Sequence, residues 1–181
     1  MPEKNIEVEI RSFISKEQYE KLLEFLKENS ESVKEDFQET HYFDSEEDLR
    51  IQKNNHGAKI WMKKGKIHDD FRKEIEIKIN KEDFNKTKDI FSSLGFCTEI
   101  MWLRDRKQFN WQDIKVCLDY TKGYGYIIEL EKMSSEEEKE KTLNELKQKL
   151  RELDIPLTSK EEFEKKFKYY KENWKGLILK K

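Results

Sequence analysis

The sequence keeps returning to a short alternation of acid or arginine with an aliphatic residue. Glu7-Val8-Glu9-Ile10-Arg11, Arg72-Lys73-Glu74-Ile75-Glu76-Ile77-Lys78 and Ile128-Glu129-Leu130-Glu131 are its clearest instances. A period of two belongs to β-structure, because successive side chains of a strand point to opposite faces. In each instance the acids and arginines fall on one face and the aliphatic residues on the other. Arg50 opposes Leu49 and Ile51, and Asp119 opposes Val116 and Leu118, in the same way. Segments with this period are predicted at 5–14, 39–44, 48–53, 58–64, 71–79, 100–110, 114–120 and 124–132. The short intervals between most of them imply antiparallel pairing.

Four amphipathic helices complete the pattern. The first follows Ser15, which with Gln18 has the spacing of a capping box, and carries Tyr19, Leu22, Leu23 and Leu26. A second starts after Asn80 and stops at Gly95, with Phe84, Ile90, Phe91 and Leu94 inward. A third follows Ser134 or Ser135, presents Leu143, Leu146, Leu150 and Leu153, and cannot pass far beyond Pro156. The last starts near Ser159 and shows Phe163, Phe167, Tyr170 and Trp174 before Gly176. The fold class is therefore α+β. Two prolines and six glycines leave no linker-like stretch, so residues 1–181 read as a single domain.

Any one strand of this kind fits a sheet with its apolar face on a core and its charged face in water. The recurrence of acid pairs and arginines on so many strands favours another arrangement. A closed antiparallel eight-stranded β-barrel, with the charged faces lining its interior and the helices packed on its outside, accommodates all of them. Such a tunnel suits a polyanion that carries a divalent cation. Carboxylates from separate strands supply hard oxygen ligands, and arginines supply charge-assisted hydrogen bonds to phosphate.

Composition narrows the alternatives. Charged residues make up 42% of the chain and apolar ones 35%, but aromatics at 12% speak for a packed core instead of disorder. The net charge of −2 has acids and bases interleaved, which argues against nucleic acid as a partner. Cys97 and Cys117 have no zinc spacing and fit two reduced thiols. His41, His56 and His68 stand apart, consistent with surface or loop positions. The acidic run Glu136-Glu137-Glu138 suits a helix's first turn. With no signal-like or membrane-length apolar stretch, the expectation is a cytoplasmic protein with no membrane contact. A homodimer is compatible with the sequence.

Taken in order, these residues resemble the CYTH family, or triphosphate tunnel metalloenzymes, which includes class IV adenylyl cyclases, thiamine triphosphatases and inorganic triphosphatases. Glu7, Glu9 and Arg11 match its Glu-x-Glu-x-Lys entry strand, with Arg in place of Lys. Tyr42-Phe43-Asp44, Leu49-Arg50-Ile51-Gln52, Lys64-Gly65, Arg72-Lys73-Glu74-Ile75-Glu76, the pair Arg104 and Arg106, Asp119, Gly123-Tyr124-Gly125 and Glu129-Leu130-Glu131 follow in the family's order. The resemblance implies Mg²⁺ or Mn²⁺ on Glu7, Glu9, Glu129 and Glu131, with Glu74, Glu76 and Asp119 as further candidates. It implies that Arg11, Arg50, Lys64, Arg72, Arg104 and Arg106 hold a triphosphate-containing small molecule. Lys63-Lys64 leaves two registers open for that strand, and Gln52 stands where the family has a tunnel cation. Three activities follow as expectations: metal-dependent triphosphate hydrolysis first, then adenylyl cyclisation, then binding without catalysis.

Overall fold

A computed structural model describes residues 6–64 and 73–179. The chain runs β1 (Ile6–Ile14), α1 (Lys16–Asn29), β2 (Glu31–Phe43), β3 (Asp48–Lys53), β4 (Ala58–Lys64), β5 (Lys73–Ile79), a 3₁₀ turn (Lys81–Asp83) and α2 (Phe84–Ser93). It continues through β6 (Thr98–Trp111), β7 (Ile114–Thr121), β8 (Gly125–Ser134), α3 (Lys139–Glu152) and α4 (Lys160–Leu179). All eight expected strands form, and β2 begins well before residue 39.

The strands make one antiparallel sheet in the order β1-β8-β7-β6-β2-β3-β4-β5. The expected closed barrel does not form. β1 and β5 are the two edges, and among the described residues no backbone ladder joins them. The edges instead approach through one side chain. Lys63 of β4 reaches Glu74 at 3.0 Å and Glu7 at 3.7 Å. The sheet is thus a curled trough bridged by an ammonium group.

The outer face carries the main core. Val8, Ile10, Val116, Leu118, Ile128 and Leu130 are buried beneath Tyr19, Leu22 and Leu26 of α1 and Leu143, Leu146 and Leu150 of α3. Each aliphatic side chain so covered contributes roughly 2 kcal/mol. The Ser15 cap forms as the sequence indicates: its hydroxyl accepts from Gln18 N at 3.1 Å, and Gln18 Oε1 accepts from Ser15 N at 2.8 Å. α2 covers a second cluster, with Phe84 against Phe43, Ile51 and Ala58.

Two helices depart from expectation. α3 starts at Lys139, a turn after Ser134, whose hydroxyl is taken by Thr142 at 2.9 Å, so Glu136–Glu138 precede the helix. α4 continues through Gly176 to Leu179 and does not lie on the outside. Its Phe167 and Tyr170 pack on Tyr42, Ile100 and Trp102, which belong to the trough's inner face, so α4 closes one end of it. The Tyr170 hydroxyl donates to Met101 O at 2.9 Å, and Trp174 Nε1 donates to Glu99 O at 2.8 Å. Gly123, at φ +79°, lets the β7–β8 turn meet this helix; a Cβ there would stand 2.6 Å from Leu177 Cβ. No helix among the described residues is long and apolar enough to cross a membrane.

Candidate functional site

The concave face of the sheet encloses a cavity of about 640 Å³. Every strand contributes alternate residues to it, and cross-strand register decides which charges meet. Glu9 of β1 stands opposite Glu131 of β8, which stands opposite Lys115 of β7. Arg11 stands opposite Glu129, and Asp119 opposite Arg106. An acid-rich patch on β1 and β8 therefore adjoins a guanidinium row that continues across β6.

The acidic patch is short of positive charge. Burial, followed by the charges of Glu131 and Glu9, pushes the Glu7 carboxyl from the ordinary range up to about 7. Glu131 is also raised, by burial and by Glu129, against the opposing pull of Lys115. Glu129 behaves differently. Burial pushes it upward, but Arg106, Arg104 and Arg11 outweigh that and hold it at about 2. Glu129 is thus held as a carboxylate beside the guanidinium row, whereas Glu7 and Glu131 repel one another.

The raised Glu7 has a consequence for stability. Over the range from the ordinary carboxylate pKa to about 7, the folded protein binds more protons at this group than the unfolded chain, so stability falls as pH rises through that window. The thermal midpoint of metal-free protein is expected to carry a downward slope from pH 5 to 8 that flattens in Glu7→Gln. Equal slopes in both proteins would contradict it.

The arginines are held by their own acids. Asp119, 2% exposed, accepts from Arg106 Nε at 2.8 Å, Arg106 Nη2 at 2.7 Å and Arg104 Nη1 at 3.0 Å. Both of its oxygens face guanidinium groups, so its geometry is that of a strut between arginines. Arg106 Nη2 also reaches Glu129 at 3.1 Å. Arg50 is buried, donates through Nε to Asp48 at 2.6 Å, pairs with Asp48 again through Nη2, and lies over the ring of Tyr42. Arg11 sits over the ring of Phe163 from α4. Gln52, in place of a cation, donates to Thr40 at 2.9 Å and towards Gln38 at 3.4 Å, whose carbonyl oxygen also accepts from Arg104.

The cavity thus brings together Glu7, Glu9, Arg11, Arg50, Glu76, Arg104, Arg106, Asp119, Glu129 and Glu131. Glu76 is tied to Lys59 at 2.6 Å, away from the β1–β8 carboxylates. Lys64 is exposed and does not line the cavity; the alternation of β4 places Lys63 there instead. Arg72 lies outside the described residues, as does His68. His41 is no surface residue: it is buried, with Nε2 on Glu39 at 2.9 Å.

Several site residues escape a reading of the sequence. Gln38 and Asp36 lie on the part of β2 before residue 39, although Asp36, Gln38, Thr40 and Tyr42 share one period-two face. Lys115 shares a face with Asp119 on a strand that the sequence does indicate. At the α4 end, Trp102 and Tyr124 meet at 4.5 Å, with Tyr42 and Phe167 close by, forming an aromatic floor.

A family model for the CYTH domain matches residues 5–163. This chain belongs to the CYTH domain family. A Methanocaldococcus jannaschii protein named provisionally as an adenylate cyclase is 36% identical over 163 residues, 83% of this chain and 90% of that one. Among solved structures, a conserved hypothetical protein of Pyrococcus furiosus matches with a TM-score of 0.69 and 25% identity, covering 83% of this chain and 91% of the other. A Hippeastrum protein, provisionally an adenylyl cyclase and described as having a dominant triphosphatase activity, matches with a TM-score of 0.61 and 21% identity over 86% of this chain and 92% of its own.

The acidic patch of this CYTH domain has the donor chemistry of a divalent-ion site: carboxylate oxygens on neighbouring strands, mutually repelling, with guanidinium groups beside them. Among the described residues, however, no three carboxylates are gathered into a ready-made cluster. Glu131 is engaged by Lys115 and Glu7 lies near Lys63.

Proposed function

We propose that this CYTH domain is a divalent-metal-dependent triphosphatase acting on a small triphosphate-containing molecule. The observation that carries the reading is the adjacency, on one concave wall, of repelling carboxylates and a buttressed guanidinium row. A bound triphosphate would lie with its oxygens along Arg104, Arg106, Arg11 and Arg50. Guanidinium groups suit this because their fork geometry matches phosphate oxygens in pairs. Asp119 and Glu129 hold the forks in place, so little ordering remains to be done on binding. Glu7, Glu9, Glu131 and Glu129 would hold Mg²⁺ or Mn²⁺, which supplies charge neutralisation on the phosphoryl group and orientation for a water. Free Cys97 and Cys117 suit a reducing, cytoplasmic setting.

The dominant triphosphatase activity in the description of the Hippeastrum protein supports hydrolysis. The name of the Methanocaldococcus relative favours a second reading, cyclisation of ATP. The aromatic floor of Trp102, Tyr42 and Tyr124 gives that reading a surface on which a purine could rest. Phosphate release and cyclic-nucleotide formation, measured on inorganic triphosphate, thiamine triphosphate and ATP with Mg²⁺ or Mn²⁺, separate the two. Phosphate release that stops on adding EDTA is the expected result. Release unaffected by EDTA would overturn the metal role, and cyclic AMP without free phosphate would transfer the assignment to the cyclase.

A further inference from the structure

Two ammonium groups inside the cavity have no part in holding phosphate as proposed above. Lys115 stands opposite Glu131 in the β7–β8 register, and its Nζ lies 2.5 Å from Glu131 Oε2. From the opposite wall, Lys63 lies 3.7 Å from Glu7. Carboxylates read as metal ligands are thus already engaged by lysines, and they are not drawn together into a cluster.

We propose that Lys115 is a resident counter-ion seated where the divalent ion binds Glu131, so that metal binding requires its ammonium to leave. This rests on the metal reading given above. An ion on Glu131 would sit about 2 Å from the carboxylate oxygen, which would leave its charge and the ammonium within about 4 Å of each other. The two cannot share that oxygen without strong repulsion. Lysine is suited to a displaceable role. Its charge is compact, its stem flexible and its hydration strong, whereas a forked guanidinium would lock the carboxylate in place. Lys115 is 34% exposed, so its Nζ has a path to water. It also lines the cavity, so the released ammonium would face the bound polyanion. The same contact offsets part of the repulsion between Glu131 and the facing Glu9 in the free protein.

The proposal predicts a change whose sign a purely structural ion pair would not give. Mn²⁺ binding to substrate-free protein, followed by electron paramagnetic resonance or calorimetry, is compared for wild type, Lys115→Met and Lys115→Arg. Lys115→Met is expected to bind Mn²⁺ about tenfold tighter or more, the scale of removing one close like charge. Its metal-free thermal midpoint should fall, and Lys115→Arg should bind no tighter than wild type. Lys115→Gln carries the same test if the methionine variant does not fold. A wild type that binds Mn²⁺ while the neutral variant binds equally or more weakly overturns the counter-ion role and leaves the metal site standing. No binding by either protein removes the metal reading and this proposal together.

Discussion

Replacing Glu129 and Glu131 together by glutamine is expected to lower triphosphate turnover by about 10³-fold or more, equivalent to roughly 4 kcal/mol of lost transition-state stabilisation. The two positions contribute differently. Glu131 faces Glu9 in register and belongs to the repelling set, so on the proposed metal role its amide would remove a ligand. Glu129 is already pinned by three arginines, so Glu129→Gln also loosens Arg106. The amide oxygen can still accept from Arg106, and glutamine keeps the volume of each site, so the fold should survive. Unchanged circular dichroism with turnover near background is the expected pair of observations. The single variants should differ: Glu131→Gln chiefly weakens metal affinity, whereas Glu129→Gln also raises the KM for triphosphate. A fully active double variant would remove both residues from the site.

The features that were legible in the sequence were those with a local cause. Alternation of charge and aliphatic residues marked every strand because each side chain's face follows from its neighbours two positions away. The Ser15–Gln18 cap was legible because it closes within three residues. What was not legible depends on distance. Whether β1 and β5 pair depends on edge strands whose residues lie some 65 positions apart, a juxtaposition that no local pattern encodes. The choice between Lys63 and Lys64 is a one-residue shift of register, which flips every side chain to the other face. Trp61 and Arg50 settle it, paired in the β3–β4 ladder and both turned inward with Lys63.

The candidate site follows the same division. Its charged residues were visible one strand at a time, but their partnerships were not. Asp119 looks like a metal ligand in sequence because it is an acid facing a charged interior. Its surroundings, two arginines on the neighbouring strand, give it the geometry of a strut, which we propose as its role. The seat of α4 was not legible for a related reason. The apolar stripe of α4 marks a buried face, and a stripe cannot say whether it lies on the outside of a sheet or in the end of its trough.

Asp119→Ala is therefore expected to destabilise the fold strongly. The carboxylate is 2% exposed and accepts from Arg106 through both oxygens and from Arg104 through one. Removing it leaves two guanidinium groups, 18% and 13% exposed, with Glu129 and the Gln38 carbonyl as their remaining acceptors among these contacts. Breaking a buried ion pair from one side costs roughly 3–5 kcal/mol, because the abandoned charge stays desolvated. For a chain of this size that corresponds to a fall in thermal midpoint of about 10 °C. Asp119→Asn should cost less, since its carbonyl oxygen still accepts one hydrogen bond. Triphosphate offers a specific rescue. If the arginines bind phosphate, the ligand's oxygens replace the missing carboxylate, and the midpoint of Asp119→Ala should rise further with triphosphate than that of wild type. A metal ligand would behave in the opposite way, with divalent ion and triphosphate together stabilising wild type and failing to stabilise the variant. Thermal midpoints of both proteins, with and without triphosphate and Mg²⁺, distinguish the strut from the ligand.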